Sequence, residues 1–485
     1  MSPPLLFLTV FLSVASHRPA SLNGYLAVSH CAHGVRSTPL PPSNLSSTHI
    51  AKIPIKISEK SLDFSRVMCY DISNGGGDAA HKIIKKRPKE RNAMSNVGKQ
   101  FPSEMSTYVD KKSGKEIVKL TASGVNYHLY FTENSFTGDD KAIIYRHFDG
   151  SLQKPESAIN LFKLDLETGI RTQLTDFDAM GIRPHVFNKT INGDKLFYNT
   201  ADELWAIDVA TGEHTLLARC PVGYSFGSTS VSYDNRYIAV VAGGKTHAKL
   251  KSSHENYGGF LENFYGIKSG RIMIAATDGS GYETIYEDTH WLGHVQFAPD
   301  TNEFITYCHE GPWNYVQQRI WMLNTITRRS KPCYVQEEKD SLGHEFWTRD
   351  GMVFYDNRGR GHDGTITSDK SQAVTMDYDG PDDIPEVGFV DKDCNVVRTL
   401  QLPYYCNHYH ANIDNTKLVA DAVNDIVLMD ISTDNPTIET LCEHNTSWRY
   451  QAVHCHPTWS WSNNAILYAS DRDVEGEPQL YLVKP

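Results

Sequence analysis

Thr137-Gly-Asp-Asp-Lys-Ala-Ile-Ile-Tyr145 decides the fold, because the same phrase is written seven times. A turn rich in Asp, Asn and Gly runs into a short β-rich strand. It returns as Asn192-Gly-Asp-Lys-Leu-Phe-Tyr198, Ser232-Tyr-Asp-Asn-Arg-Tyr-Ile-Ala-Val240 and Ala298-Pro-Asp-Thr-Asn-Glu-Phe-Ile305, then as Thr348-Arg-Asp-Gly-Met-Val-Phe354, Ile413-Asp-Asn-Thr-Lys-Leu-Val419 and Ser462-Asn-Asn-Ala-Ile-Leu-Tyr468. A second hairpin follows each copy, clearest in Leu161-Phe-Lys-Leu-Asp-Leu-Glu-Thr-Gly169 and Leu204-Trp-Ala-Ile-Asp-Val-Ala-Thr-Gly212. Glycine after Asp or Thr relieves the positive-φ position of such a turn. Two hairpins per repeat, at intervals of about 40–70 residues, describe four-stranded propeller blades, some with insertions.

The last copy is one strand short, and an orphan strand, Glu116-Ile-Val-Lys-Leu-Thr121, precedes the first. The orphan reads like an outer blade strand such as Arg171-Thr-Gln-Leu-Thr175. Adding it to the last blade closes the ring and removes a sheet edge. The expectation is therefore an all-β chain: a single seven-bladed β-propeller over residues 100–485, closed by an N-terminal strand. A sandwich array would leave the missing and surplus strands unexplained.

Residues 1–93 carry no sustained hydrophobic period. They include a Ser/Pro-rich stretch from Thr38 to Ser47, the run Gly75-Gly76-Gly77 and a basic cluster from Lys82 to Arg91. Such a composition buries too little apolar surface to offset chain entropy and reads as a poorly ordered extension. A second start at Met94 would yield a compact chain. The apolar stretch Leu5 to Ala15 has the length of a secretory h-region, but no Lys or Arg precedes it. Secretion is thus the alternative to a cytoplasmic location, and the sequons at Asn44, Asn188 and Asn445 would matter only then. The nine cysteines contain no C-x-x-C pair and read as free thiols in a reducing compartment. With 47 Lys+Arg against 58 Asp+Glu, a net charge of −11, the 485-residue chain lacks the footprint of a nucleic-acid binder. Nothing in it is long enough to span a membrane.

Of the 21 histidines, eight fall at one phase of the repeat. Just ahead of the Asp/Asn turns stand His128, His185, His294, His344, His408 with His410, and His454 with His456. In a propeller the strand before that turn is the innermost, so six blades present imidazole to the central channel. In Gln451-Ala-Val-His-Cys-His456, alternate residues of a strand share a face, so His454 and His456 can hold one ion while Cys455 points away. Gln451 can add an amide oxygen, and His344 of Gly343-His-Glu-Phe-Trp347 is the natural donor from a neighbouring blade. Imidazole and amide oxygen without thiolate suit Mn, Fe, Ni or Zn. Gly223-Tyr-Ser-Phe-Gly227 matches the nucleophile-elbow pattern, but an inner propeller strand lacks the strand–elbow–helix setting that chemistry needs.

Taken together, Asp288-Thr-His-Trp-Leu-Gly-His294, Cys308-His-Glu-Gly-Pro312, Gly343-His-Glu-Phe-Trp347, His444-Asn-Thr-Ser-Trp448 and Gln451-Ala-Val-His-Cys-His-Pro457 resemble the oligogalacturonate lyase family of metal-dependent propeller enzymes. Weaker similarity runs from about residue 100 to the C-terminus. The resemblance implies a manganese ion held by His344, Gln451, His454 and His456, with His294 as base and Arg271 facing an oligogalacturonide substrate. The chain departs from the family at His128-Leu129-Tyr130, where the family has His-Arg-Asn, and between Lys251 and Lys268.

Abstraction of the C5 proton of a uronate is hard beside an ionised carboxylate. A divalent cation on that carboxylate acidifies C5, and a neutral imidazole takes the proton. Loss of the C4 oxygen then leaves a 4,5-unsaturated sugar. Arg183, His309 and Arg319 are candidates for sugar contacts, and His185, His408 and Trp448 complete the substrate-binding set. Two rivals stay open: a non-catalytic propeller interaction module, which needs no such cluster, and a metallo-propeller enzyme for another uronate polymer or a lactone. Oligomeric state has no signature in the sequence.

Overall fold

Asp and Thr side chains wire the turns that generate the strands. In the first blade the Thr137 hydroxyl donates to Asp139 at 2.7 Å, the same carboxylate accepts from the Lys141 N–H at 3.2 Å, and Asp140 sits at φ 56°. At the second hairpin of the first two blades, Asp165 and Asp208 each accept from the N–H three residues on at 2.8 Å, and Gly169 and Gly212 take φ of 72° and 67°. Each turn fixes its hairpin locally, and the apolar runs between turns pair in register.

The computed structural model describes residues 95–246, 260–312, 315–338, 340–358 and 385–485. The extension up to residue 93, the Leu5 to Ala15 stretch and part of the Lys251 to Lys268 region lie outside them. The described strands form seven antiparallel sheets. The first blade runs from Val125–His128 through Ala142–Phe148 and Asn160–Asp165 to Arg171–Gln173, and a short strand, Gln100–Phe101, adds to its outer edge. Blades two to six begin at Val186–Lys189, Tyr224–Val231, Leu292–Phe297, Leu342–Trp347 and Tyr409–Ala411. Blade seven takes Thr458–Trp459, Ile466–Ser470 and Gln479–Val483 from one end of the propeller sequence and Glu116–Lys119 and Ser106–Val109 from the other. Ile117 pairs with Val483, the expected closure; the additional hairpin partner Ser106–Val109 and the strand Gln100–Phe101 have no counterpart in the sequence reading.

Seven apolar cores sit between the blades, one for each neighbouring pair. Phe197, Leu204 and Phe226 join blades two and three; Leu467, Leu480, Ile143 and Tyr145 join seven to one. No blade can bury its faces alone, so the ring is the unit that excludes water. Asn188 is 3% exposed and donates to the Thr229 carbonyl, which removes it as a glycan acceptor in the folded chain. Gly223 opens the extended strand Tyr224–Val231, so the elbow pattern there has no elbow. Among the described residues no helix is long and apolar enough to cross a membrane.

Candidate active site

The first strands of five blades, or the residues just ahead of them, deliver a chain of imidazoles to the channel. His408 lies at the centre, with ring centroids 4.1 Å from His456, 4.5 Å from His344 and 5.5 Å from His454. His128 touches His456 at 6.2 Å, and His294 touches His344 at 6.3 Å. His185 stands apart: it is exposed, with Nε2 3.2 Å from the Phe226 carbonyl.

The backbone that brings His454 and His456 together differs from the expected strand. Gln451–Val453 is one turn of 3-10 helix, His454 is extended, and His456 takes φ 44° in the left-handed region. The two rings still meet, with centroids 5.8 Å apart. Cys455 points away, into the apolar core with Trp459 and Ile426. Gln451 opens the helical turn and is solvent-exposed. Trp448, also at positive φ (60°), donates its indole N–H to the Val423 carbonyl and lays its ring 5.2 Å from His454.

One ring nitrogen each of His408, His454 and His456 lies within 4.8 Å of the other two. Both ring nitrogens of His454, and Nε2 of His456 and of His408, are buried without a hydrogen-bond partner in the protein. Burying that many unpaired acceptors is costly unless something else binds them. Burial, with His408 next, holds the His454 and His456 pKa values well below the usual imidazole range, so both present neutral lone pairs. His344 is lowered in the same way. His408 Nδ1 lies 2.8 Å from Asp421, a carboxylate–imidazole pair that aims Nε2 inward. The donor set fits a divalent transition metal, and His408, read from sequence as a substrate contact, belongs geometrically to it.

His294 has the opposite environment. A bulge between Gly293 and Gln296 and a backbone φ of 48° turn its ring out of the strand. Its Nδ1 lies 3.2 Å from Glu345 Oε1 and its Nε2 3.6 Å from Glu310 Oε2. Arg319, 2% exposed, lies 3.3 Å from Glu310 and 3.7 Å from Glu345. Burial alone would lower the His294 pKa, but Glu345 and then Glu310 outweigh it and raise it. Arg319 is thus a buried counter-ion behind the ring rather than a surface contact. Tyr130 fills the space between the two neighbourhoods, its ring 5.7 Å from His294 and 4.9 Å from His456.

Arg271 lies over the Tyr224 ring at 4.4 Å and 3.3 Å from Glu287. Arg183 is exposed and paired with Asp178 at 3.1 Å. His309 lies 3.2 Å from Asp288 and stacks on His290. Sequence reading missed Glu310, Glu345 and Asp421. The first two stand next to noted histidines, His309 and His344, and strand alternation assigns neighbours to opposite faces. A bulge cancels that alternation at Glu345, and Glu310 lies past the end of its strand.

A model of the oligogalacturonate lyase family matches residues 94–485. The oligogalacturonide lyase of Pectobacterium atrosepticum is 27% identical over 416 residues, covering 80% of this chain and 97% of the relative. The oligogalacturonate lyase of Dickeya dadantii is 26% identical over 417 residues with the same coverage. Among solved structures, an oligogalacturonate lyase in complex with manganese superposes with a TM-score of 0.66 at 23% identity, over 80% of this chain and 98% of that one. The enzyme from Vibrio parahaemolyticus superposes with a TM-score of 0.66 at 22% identity, over the same shares. These superpositions establish the propeller fold.

Proposed function

The chain belongs to the oligogalacturonate lyase family, and from that premise we propose that it cleaves short oligogalacturonides by β-elimination, with His294 as base beside a manganese-type centre. The observation that carries the reading is one imidazole flanked by two carboxylates, joined through Tyr130 and His344 to a buried group of imidazoles. His454 and His456, with His344 and His408, would hold the ion, and Gln451 can add an amide oxygen from the neighbouring turn. Such an ion supplies positive charge to a uronate carboxylate and so acidifies the adjacent C5–H.

The protein groups do the rest. Glu345 can accept the Nδ1–H of neutral His294, which leaves the Nε2 lone pair to take the C5 proton. Once protonated, the imidazolium sits between two carboxylates that Arg319 holds in place. Burial opposes ionisation of Glu310, but Arg319 and then His294 outweigh it and lower its pKa, so Glu310 is charged when the proton arrives. Arg271 can clamp a uronate carboxylate with two parallel hydrogen bonds. The seven described cysteines carry free thiols, which supports a reducing, cytoplasmic setting.

The test is ultraviolet absorbance of the 4,5-unsaturated product, with galacturonide dimers and trimers and the Mn²⁺-loaded chain. A metal-dependent rise supports the reading. Metal bound without any rise turns the assignment toward another uronate.

A further inference from the structure

A second group of ligand-type side chains borders a cavity whose lining includes Glu310, the neighbour of His294. Asp288 ends the strand Tyr282–Asp288, His290 follows in the next turn, and His309 ends the strand Phe304–His309. One ligand atom from each lies within 4.8 Å of the other two. His290 Nδ1 is 2.7 Å from Asp288 Oδ1, and His309 Nε2 is 3.2 Å from Oδ2. The two imidazoles address different oxygens of the one carboxylate, and two imidazole nitrogens with one carboxylate oxygen make a donor set that zinc accepts.

The carboxylate is oriented by groups outside the trio. Oδ1 accepts from the N–H groups of Thr289 at 2.6 Å and His290 at 3.2 Å, and the Tyr286 hydroxyl donates to Oδ2 at 3.0 Å. Outer hydrogen bonds of this kind orient ligating carboxylates in metal sites. His309 is held on its far side by the Trp321 ring, 4.8 Å away. The side chains of His309 and Asp288 are 10% and 12% exposed, while that of His290 is 56% exposed, so the trio is rigid behind and open in front. In front lies a cavity of about 330 Å³ lined by His290, His309, Trp291, Trp321, Phe264 and Tyr315.

We propose that Asp288, His290 and His309 form a second divalent transition-metal site, of the two-imidazole, one-carboxylate type that suits zinc. Its remaining coordination positions face the cavity and take water or an anionic oxygen, and the aromatic walls suit the apolar face of a sugar ring. The site shares no residue with the His408–His454–His456 group and does not depend on the lyase reading.

The experiment is equilibrium dialysis of the untagged, chelator-stripped full chain against Zn²⁺, with metal per chain counted by atomic emission. The wild type should hold two ions, His290→Ala one, His454→Ala one, and the double variant none. A wild type that holds no ion, or a His290→Ala chain that holds as many as the wild type, overturns the proposal. His290 is exposed, so its replacement leaves the fold intact. Should His454→Ala fail to fold, the wild-type and His290→Ala counts decide alone. Co²⁺ in place of Zn²⁺ gives a second readout, a visible band lost in His290→Ala.

Discussion

Two histidine neighbourhoods meet across Tyr130 and differ in what surrounds the imidazole. Around His454 and His456 the groups that set the proton affinity are burial and other imidazoles. Around His294 they include two carboxylates and a buried arginine. The first arrangement keeps lone pairs free and neutral; the second raises basicity and readies a site for positive charge. The same side chain becomes a ligand or a base according to whether its neighbours can answer a proton with negative charge.

The largest test of that contrast is His454→Ala. It should abolish metal retention by the His408–His454–His456 group and turnover together; measured by atomic emission and the product assay, retained manganese would remove His454 from the ligand set. Next is His294→Ala, which should keep the manganese and lose about 10²–10⁴-fold in kcat. A variant of wild-type rate would sink the base assignment. Glu345→Gln should cost about 10–100-fold, the scale for a residue that orients a functional imidazole. Glu345 raises the His294 pKa, so its loss should move the acid limb of the kcat/KM profile to lower pH; an unmoved limb would separate Glu345 from the base.

The smallest effect concerns a third acid on the base's side. Burial pushes the Glu133 carboxyl up to about 7. A raised carboxyl contributes stability that is full below its unfolded value and is lost as pH rises through the folded one. Glu133→Gln should therefore stabilise the chain by about 1–2 kcal/mol at pH 8 and change little at pH 4. Urea midpoints at the two pH values check it, and an equal shift at both would point to packing instead of charge.

The ring was legible because its signals are local. Each Asp/Asn-Gly turn dictates its own hairpin within a few residues, and seven such turns with one surplus strand leave little choice of closure. The site was legible only as far as residue type and repeat phase reach. Those give the imidazoles of His294, His344, His454 and His456. Side-chain direction was lost wherever the strand period fails. His454 and His456 meet across a helical turn and a left-handed residue, not by strand alternation. Glu345 follows His344 yet reaches His294 of the preceding blade, because a bulge interrupts the ladder between Leu342 and Glu345. Arg319 reads from sequence as a candidate sugar contact, and only the carboxylates of two other segments explain its burial.

The seventh blade also sets a timetable. Glu116–Lys119 leaves the ribosome before any complete blade, while its partner Gln479–Val483 comes after six of them. During all that synthesis the early hairpin has an open edge, able to recruit a stray strand. At about 5–20 residues per second the wait is tens of seconds, long beside the microseconds in which a hairpin forms. The bond that makes the finished ring durable thus makes the nascent chain vulnerable, and slowing elongation should cost yield even though it leaves the mature protein unchanged.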